Sequence, residues 1–247
     1  LTSVGGRFLI SSNKSLIETD ALLQLKTVGD DVGIWWNETI QSLKGLDGLQ
    51  TIGGSFNIGW NPDTYLQSYD VTKTLTEMTL SELTYVGGDF KLGFCAIPNM
   101  DGMNKLSQVE GEIKISNSID VTEISGFNQL TSVSEIKILS IDDLVHISGF
   151  SALPTIPENL QLSGNEDLRI ISGFEALQSI GEDFILNYNS NLTDASGLSN
   201  LITIGEDFIL DHKDGNYSAD PNHSSLPNFQ SFSSLETIGK GFIVGPN

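Results

Sequence analysis

One heptapeptide occurs twice in this chain at a fixed interval. Residues 180–186 and residues 204–210 both read IGEDFIL, 24 positions apart. The interval extends along the whole chain, because a leucine followed three residues later by Ile or Val recurs every 23 or 24 residues, with two longer steps of 34. The ten leucines of this series are Leu1, Leu25, Leu49, Leu83, Leu106, Leu130, Leu153, Leu177, Leu201 and Leu235. Such a repeat predicts stacked units, since one short unit cannot bury its own apolar face.

Each unit carries the signature of a short strand. The Ile or Val is followed by glycine in seven copies, and then by an apolar pair with one residue between, such as Phe184 and Leu186. Because the pattern has a period of two, alternate side chains of the strand point inward. Glycine before the pair and Asn after it suit corners, where the backbone needs a positive φ or a local side-chain hydrogen bond.

These units predict a mainly β fold. We expect a right-handed parallel β-solenoid of about ten 24-residue coils, with strands of successive coils about 4.8 Å apart. Residues 1–247 then form a single domain. The two long steps place insertions near residues 62–72 and 214–223, and both leave the same corner of the coil.

The amino-acid composition argues against two classes of binding partner. Asp and Glu number 32 against 12 Lys and Arg, a net charge of −20. This balance argues against nucleic acid and against anionic membrane surfaces, which require basic patches. No apolar run approaches the ~18 residues of a membrane span, so we expect no direct membrane insertion by this segment. The single cysteine, Cys95, rules out an internal disulfide framework, and we interpret it as a small buried thiol rather than a reactive one.

The repeat pattern L-x-S/T-I-G-G-x-F-x-I-x-x-N-x-x-L resembles the receptor L-domain branch of the leucine-rich-repeat proteins over all ten units. Those are ligand-binding domains of growth-factor receptors, and related modules occur on bacterial and fungal cell surfaces. Animal L domains are flanked by cysteine-rich modules, which this chain lacks, so it looks more like a surface protein of the bacterial Bacteroidetes. Five Asn-x-Ser/Thr sequons keep a eukaryotic source open, at Asn13, Asn37, Asn191, Asn216 and Asn222.

The resemblance implies an exported protein at the cell surface or outside the cell. The chain starts inside one repeat and stops inside another, so we expect flanking segments that anchor it, as in a lipoprotein. Neither end shows a polar cap, and an open coil exposes unpaired strand edges. We therefore expect flanking residues or an end-to-end contact between copies to cover at least one end.

No catalytic motif is visible in the sequence. The three histidines are His146, His212 and His223, and no Ser-His-Asp order, HExxH motif or phosphate-binding loop includes them. His146 lies next to apolar positions and is interpreted as a surface or packing residue. We assign no catalytic residue, no metal ligand and no cofactor, and we expect the chain not to be an enzyme.

Acidic residues stand directly before the Phe-x-Ile strands. They form one row, which comprises Asp31, Asp89, Glu112, Glu135, Asp183 and Asp207. One interpretation is a solvated edge partly compensated by Lys91, Lys114 and Lys137, two residues further on. The alternative is a weak Ca²⁺ site at Glu182, Asp183, Glu206 and Asp207.

Aromatic residues mark one corner of the predicted coil. Trp36, Trp60 and Phe94 fall in one row, with Trp35 beside it. The first insertion adds Tyr65 and Tyr69. Grouped rings at a corner bind sugars or proteins when they are exposed, whereas buried rings are corner packing. From this row we predict a non-enzymatic recognition or adhesion module that binds a glycan or a protein. The alternatives are a structural spacer of a larger surface protein and, less favoured, a carbohydrate-active β-helix enzyme.

Overall fold

The computed structural model describes residues 1–59, 74–98, 100–210 and 229–245. These residues are mainly β and form a parallel β-solenoid of about eight turns with little helix. The count of ten coils, the right-handed winding and the leucine-rich-repeat type remain predictions. Both predicted insertions, near 62–72 and 214–223, lie outside the described residues. Within the described ranges, no helix is long and apolar enough to cross a membrane.

The elements are short and follow one another at the period of the repeat. The strands, numbered in chain order, are β1 (Ser3–Val4), β2 (Phe8–Ser11), β3 (Thr27–Val28), β4 (Val32–Trp35), β5 (Thr51–Ile52), β6 (Phe56–Ile58), β7 (Tyr85–Val86), β8 (Phe90–Gly93), β9 (Gln108–Val109), β10 (Glu112–Ser116), β11 (Glu123–Ile124), β12 (Glu135–Leu139), β13 (His146–Ile147), β14 (Thr155–Ile156), β15 (Leu160–Ser163), β16 (Ile170–Ile171), β17 (Ser179–Ile180), β18 (Phe184–Asn187), β19 (Thr203–Ile204), β20 (Phe208–Leu210), β21 (Thr237–Ile238) and β22 (Phe242–Val244). Single 3₁₀ turns occur at Asp20–Leu22, Lys44–Leu46, Asp101–Met103, Ser196–Leu198 and Gln230–Phe232.

The strands form parallel sheets that run along the solenoid. The longest, called here the main sheet, has ten strands in the order β2-β4-β6-β8-β10-β12-β15-β18-β20-β22. Two shorter sheets, β1-β3-β5-β7-β9 and β14-β17-β19-β21, contain the Ile/Val position of the repeat and the residue before it, which is Ser or Thr except in β7 and β9. A three-stranded sheet, β11-β13-β16, forms another face over three coils. The register follows the repeat, since Phe184 pairs with Phe208 and Leu186 with Leu210.

The core is continuous along the stack. The predicted inward residues Leu177, Ile180, Phe184 and Leu186 are all buried, which confirms the inward assignment. The rings of Phe184 and Phe208 stack with centroids 4.9 Å apart. Burial of such side chains in the coils between the two ends supplies the main stabilisation of the fold.

A second column of stacked rings lies at the Ser-Gly-Phe segment of the repeat. Phe127, Phe150 and Phe174 stack at 4.9 Å per step, and each has a positive φ between 65° and 69°. A positive φ is strained for any residue that has a side chain. Complete burial of the phenylalanine ring offsets this strain. In the following coil the same segment forms the 3₁₀ turn that ends at Leu198.

The glycine that occurs before seven of the ten strands of the main sheet has a different role from the one predicted. A Cβ added to Gly205 would lie 2.0 Å from the carbonyl oxygen of Gly181 in the preceding coil. Glycine is therefore required because successive coils approach closely here. The prediction of a positive φ was wrong for this column, since the described glycines with positive φ are Gly59 and Gly164.

Candidate functional site

The acidic row before the main sheet is a ladder of hydrogen bonds between coils. Asp183 Oδ1 accepts the backbone N–H of Asp207 at 2.9 Å, and Asp207 Oδ1 accepts that of Gly241 at 2.7 Å. Asn159 Oδ1 accepts the N–H of Asp183 at 3.0 Å. The same contact joins Asp31 to Ser55 at 2.8 Å.

This ladder gives the acidic row a structural role that neither sequence interpretation included. Each side-chain oxygen pairs an N–H at the start of a strand, and an unpaired backbone N–H is costly when it is partly buried. The Oγ of Ser55 accepts the N–H of Asp89 in the same way, at 3.0 Å. Since Ser and Asn also fill the position, it requires an acceptor rather than a negative charge.

The predicted calcium ligands have the following contacts. Asp183 and Asp207 each use one carboxylate oxygen in the ladder. Glu206 forms an ion pair with Lys240 at 2.7 Å, and Glu182 accepts a hydrogen bond from Asn159 at 3.2 Å. Over the described ranges, no cluster of three or more His, Cys, Asp and Glu side chains is arranged to hold a metal ion. Calcium binding at these residues remains a prediction.

Lysines bridge the acids across the middle of the main sheet, as the solvated-edge interpretation predicted. Lys91 Nζ lies 2.7 Å from Asp89 and 2.8 Å from Glu112, while Lys137 Nζ lies 3.4 Å from Glu112 and also contacts Glu135. Burial lowers the pKa of Lys91, but its hydrogen bonds to the two carboxylates outweigh this and raise the pKa above the ordinary value.

Lys114 lies between these two lysines in register on β10. Burial lowers its pKa below the ordinary value. The attraction of Glu112 acts in the opposite direction, while the positive charges of Lys137 and Lys91 lower the pKa further. The outer face of the main sheet is therefore strongly ionic at its centre.

The register supports the predicted aromatic row. Ile34 pairs with Ile58 and Ile58 with Leu92, so positions 36, 60 and 94 are equivalent. Trp36 and Phe94 share a left-handed backbone conformation, with φ angles of 56° and 55°. Trp36 is half-buried, whereas Phe94 is only 8% exposed. Trp60, Tyr65 and Tyr69 lie outside the described residues.

The ring of Trp35 lies over Gly33 on the outer face of β4. It is 9% exposed, and a Cβ added to Gly33 would lie 2.0 Å from its ring. Gly33 thus provides the space in which the ring lies. The structure therefore brings Trp36 and Phe94 into one row, places Trp35 beside them, and leaves Trp36 as the most accessible of the three.

Buried asparagines form a second ladder after the main-sheet strands. Asn165 and Asn189 are fully buried, and Asn189 Oδ1 accepts the N–H of Asn165 at 3.2 Å. Asn37 is equally buried, and its amide donates to the carbonyl of Ile10 at 2.9 Å. The Asn in the repeat consensus was the signal for this ladder.

Cys95 takes the position of the ladder asparagine in its own coil. Its Sγ lies 3.3 Å from Ser118 Oγ, the equivalent atom of the next coil. The side chain is completely buried, and this burial raises the pKa of the thiol. The prediction of a small buried thiol is confirmed.

A polar cluster that the sequence did not reveal lies on the three-stranded sheet. His146 Nε2 lies 2.7 Å from Ser172 Oγ, and His146 Nδ1 lies 3.4 Å from Glu123 Oε1. The prediction that His146 is a surface or packing residue omits these contacts. The three residues come from consecutive coils, 23 and 26 positions apart, so no linear motif joins them.

The fold and its register define the class of this protein, a parallel β-solenoid built from one repeated unit. Comparison with family models, with curated proteins and with solved structures found no match. The resemblance to receptor L domains remains a prediction from the repeat motif.

Proposed function

We propose that this chain is a non-enzymatic recognition or adhesion module of the receptor L-domain and leucine-rich-repeat type, exported to the cell surface. Its ligand is a protein or a carbohydrate. The row of Trp36, Trp60 and Phe94 at one edge of the main sheet is the proposed contact. Its acidic surface, with a net charge of −20, disfavours nucleic acid as a partner.

The observation that carries this proposal is the setting of Trp36. Its backbone has a positive φ of 56°, and the tryptophan is half-buried, with part of it accessible to solvent. Trp36 directly follows β4, which pairs with β2 and β6, so the strand before the ring is held on both sides. A stiff indole loses little conformational entropy on binding, and stacking on sugars or apolar groups then favours association.

The experiment that tests the function is a screen of the purified chain against glycan and host-protein arrays. We expect one chemically related group of ligands, bound with weak dependence on salt because ring stacking and apolar burial supply the affinity. Binding that disappears with a chelator would instead support the Ca²⁺ site at Glu182, Asp183, Glu206 and Asp207. Binding to neither array would contradict the recognition function.

The structural spacer is the second candidate, and one observation favours it. Trp35 and Phe94 are 9% and 8% exposed, so two of the predicted contact rings contribute mostly to packing. A spacer needs no accessible ring and binds nothing on either array. The same screen therefore separates the two functions.

The end of the main sheet supports the proposed self-contact. Phe242 on β22 is 48% exposed, although its equivalent Phe208 is 1% exposed. Among the described residues, no strand pairs with the outer edge of β22. We propose that a second copy of the chain covers this end of the main sheet. Light scattering tests this, because a monomer at every concentration measured would contradict it.

A further inference from the structure

The side chains of Glu123, His146 and Ser172 form a contiguous polar cluster across three consecutive coils. Glu123 pairs with His146 in register between β11 and β13, and Ser172 follows β16, the next strand of that sheet. The spacing of the coils therefore brings a carboxylate, an imidazole and a hydroxyl together in this order. The distances are 3.4 Å from Glu123 Oε1 to His146 Nδ1 and 2.7 Å from His146 Nε2 to Ser172 Oγ.

The carboxylate favours one direction of hydrogen bonding in this cluster. Glu123 lies beside Nδ1 of His146, so it favours the tautomer that carries its proton on Nδ1. In that tautomer Nε2 is the acceptor and Ser172 Oγ–H is the donor. This is the arrangement in which an imidazole removes the proton of a serine hydroxyl.

The cluster is open to small molecules. The side chains of His146 and Glu123 are 33% and 42% exposed, and Ser172 is half-buried. All three residues of the cluster are thus partly accessible to solvent.

We propose that Ser172 is an activated nucleophile that accepts an acyl group from small activated esters, a covalent site separate from the recognition function. The Oγ proton passes to Nε2 of His146 while Oγ forms a bond to the carbonyl carbon of the ester. The bond from that carbon to the leaving oxygen then breaks, and the proton on Nε2 goes to the departing oxygen. The products are O-acyl-Ser172 and the free alcohol or phenol.

The backbone around Ser172 limits the reaction to the acylation of Ser172. The N–H groups of Ser172 and Gly173 both donate to the carbonyl of Ile147 at 3.0 Å. These two N–H groups are therefore not directed at the ester carbonyl oxygen, on which negative charge develops. They do not form an oxyanion hole, which would contribute strongly to the rate. We expect one stable acylation per chain rather than rapid turnover.

Two other serines provide internal controls. Ser125 and Ser148 occupy the same Ser-Gly-Phe position in the two preceding coils and are half-buried as Ser172 is. Ser148 Oγ donates to Glu123 at 2.8 Å, so its partner is a carboxylate, which is a weaker base than an imidazole. Of the three, Ser172 is the serine bonded to an imidazole in the structure.

The test is acylation of the whole chain by p-nitrophenyl acetate, followed by peptide mapping with mass spectrometry. We expect acetyl transfer to Ser172 about 100-fold faster than to Ser125 or Ser148, because general-base catalysis contributes at least this factor. His146→Gln should reduce the rate at Ser172 to that at Ser125, and Glu123→Gln should reduce it less.

Equal acylation of the three serines, or a rate at Ser172 unchanged by His146→Gln, would overturn the proposal. The comparison within the wild-type chain needs no folded variant, so it decides the question even if a substitution unfolds the protein. A purely structural His146–Ser172 bond would alter the thermal midpoint but would leave the three serines equally reactive.

Discussion

Asp183 and Asp207 occupy the same position in two successive coils, and the side chain of the first accepts the backbone N–H of the second at 2.9 Å. The contact repeats along the stack, with Asp207 accepting from Gly241 and Asn159 supplying the acceptor for Asp183. Each of these coils therefore presents the acceptor that the next coil needs. This requirement gives Asp31, Asp89, Asp183 and Asp207 a structural role without a ligand.

Replacing Asp183 tests this ladder. Asp183→Ala leaves the N–H of Asp207 without its partner, so we expect a loss of about 1 kcal/mol in the free energy of unfolding. Asp183→Asn keeps the acceptor, as Asn159 does naturally, and should lose much less. Urea denaturation of both variants measures the difference. If both lose the same amount, the charge and not the hydrogen bond is what matters.

Phe184 tests the inward assignment of the main sheet. The ring is fully buried against Phe208, so Phe184→Ala should lower the free energy of unfolding by roughly 3–5 kcal/mol through the cavity it leaves. Phe242→Ala is the matched control, because the same repeat position is 48% exposed there. It should cost clearly less. A loss under about 0.5 kcal/mol for Phe184→Ala would be incompatible with a buried ring.

Lys91 tests the ion pairs at the centre of the main sheet. Its pKa is raised in the folded protein, so its stabilising effect is full below the unfolded pKa and is lost as pH rises through the folded pKa. The difference in unfolding free energy between the wild type and Lys91→Met should therefore shrink above the ordinary value of 10.5. A difference that is constant from neutral pH to beyond that point would show that packing of the stem is the whole effect.

The fold was largely predictable because periodicity records burial directly. The 24-residue interval and the Phe-x-Ile alternation located Phe184, Leu186 and their register with the neighbouring coil. The close approach at Gly205 was not predictable, because a sequence does not show the distance to the backbone of the adjacent coil.

The polar contacts were predictable only in part. The pairing of Lys91 with Asp89 and Glu112 followed from their spacing. The contact between His146 and Ser172 did not, because it joins adjacent coils at positions offset by two residues. The register of the strands before Trp36 and Phe94 followed from the repeat, whereas the burial of these two rings depends on rotamers and neighbours that only coordinates give.

The most direct test of the recognition function is the affinity of Trp36→Ala for a ligand from the array screen. Tyr188→Ala is the matched control, since Tyr188 has the same backbone conformation and partial burial after β18. Calorimetric titration should show binding abolished by Trp36→Ala and by Trp60→Ala, retained by Tyr188→Ala, with thermal midpoints close to that of the wild type. Wild-type affinity in both tryptophan variants, or their unfolding, would contradict a contact site at this row.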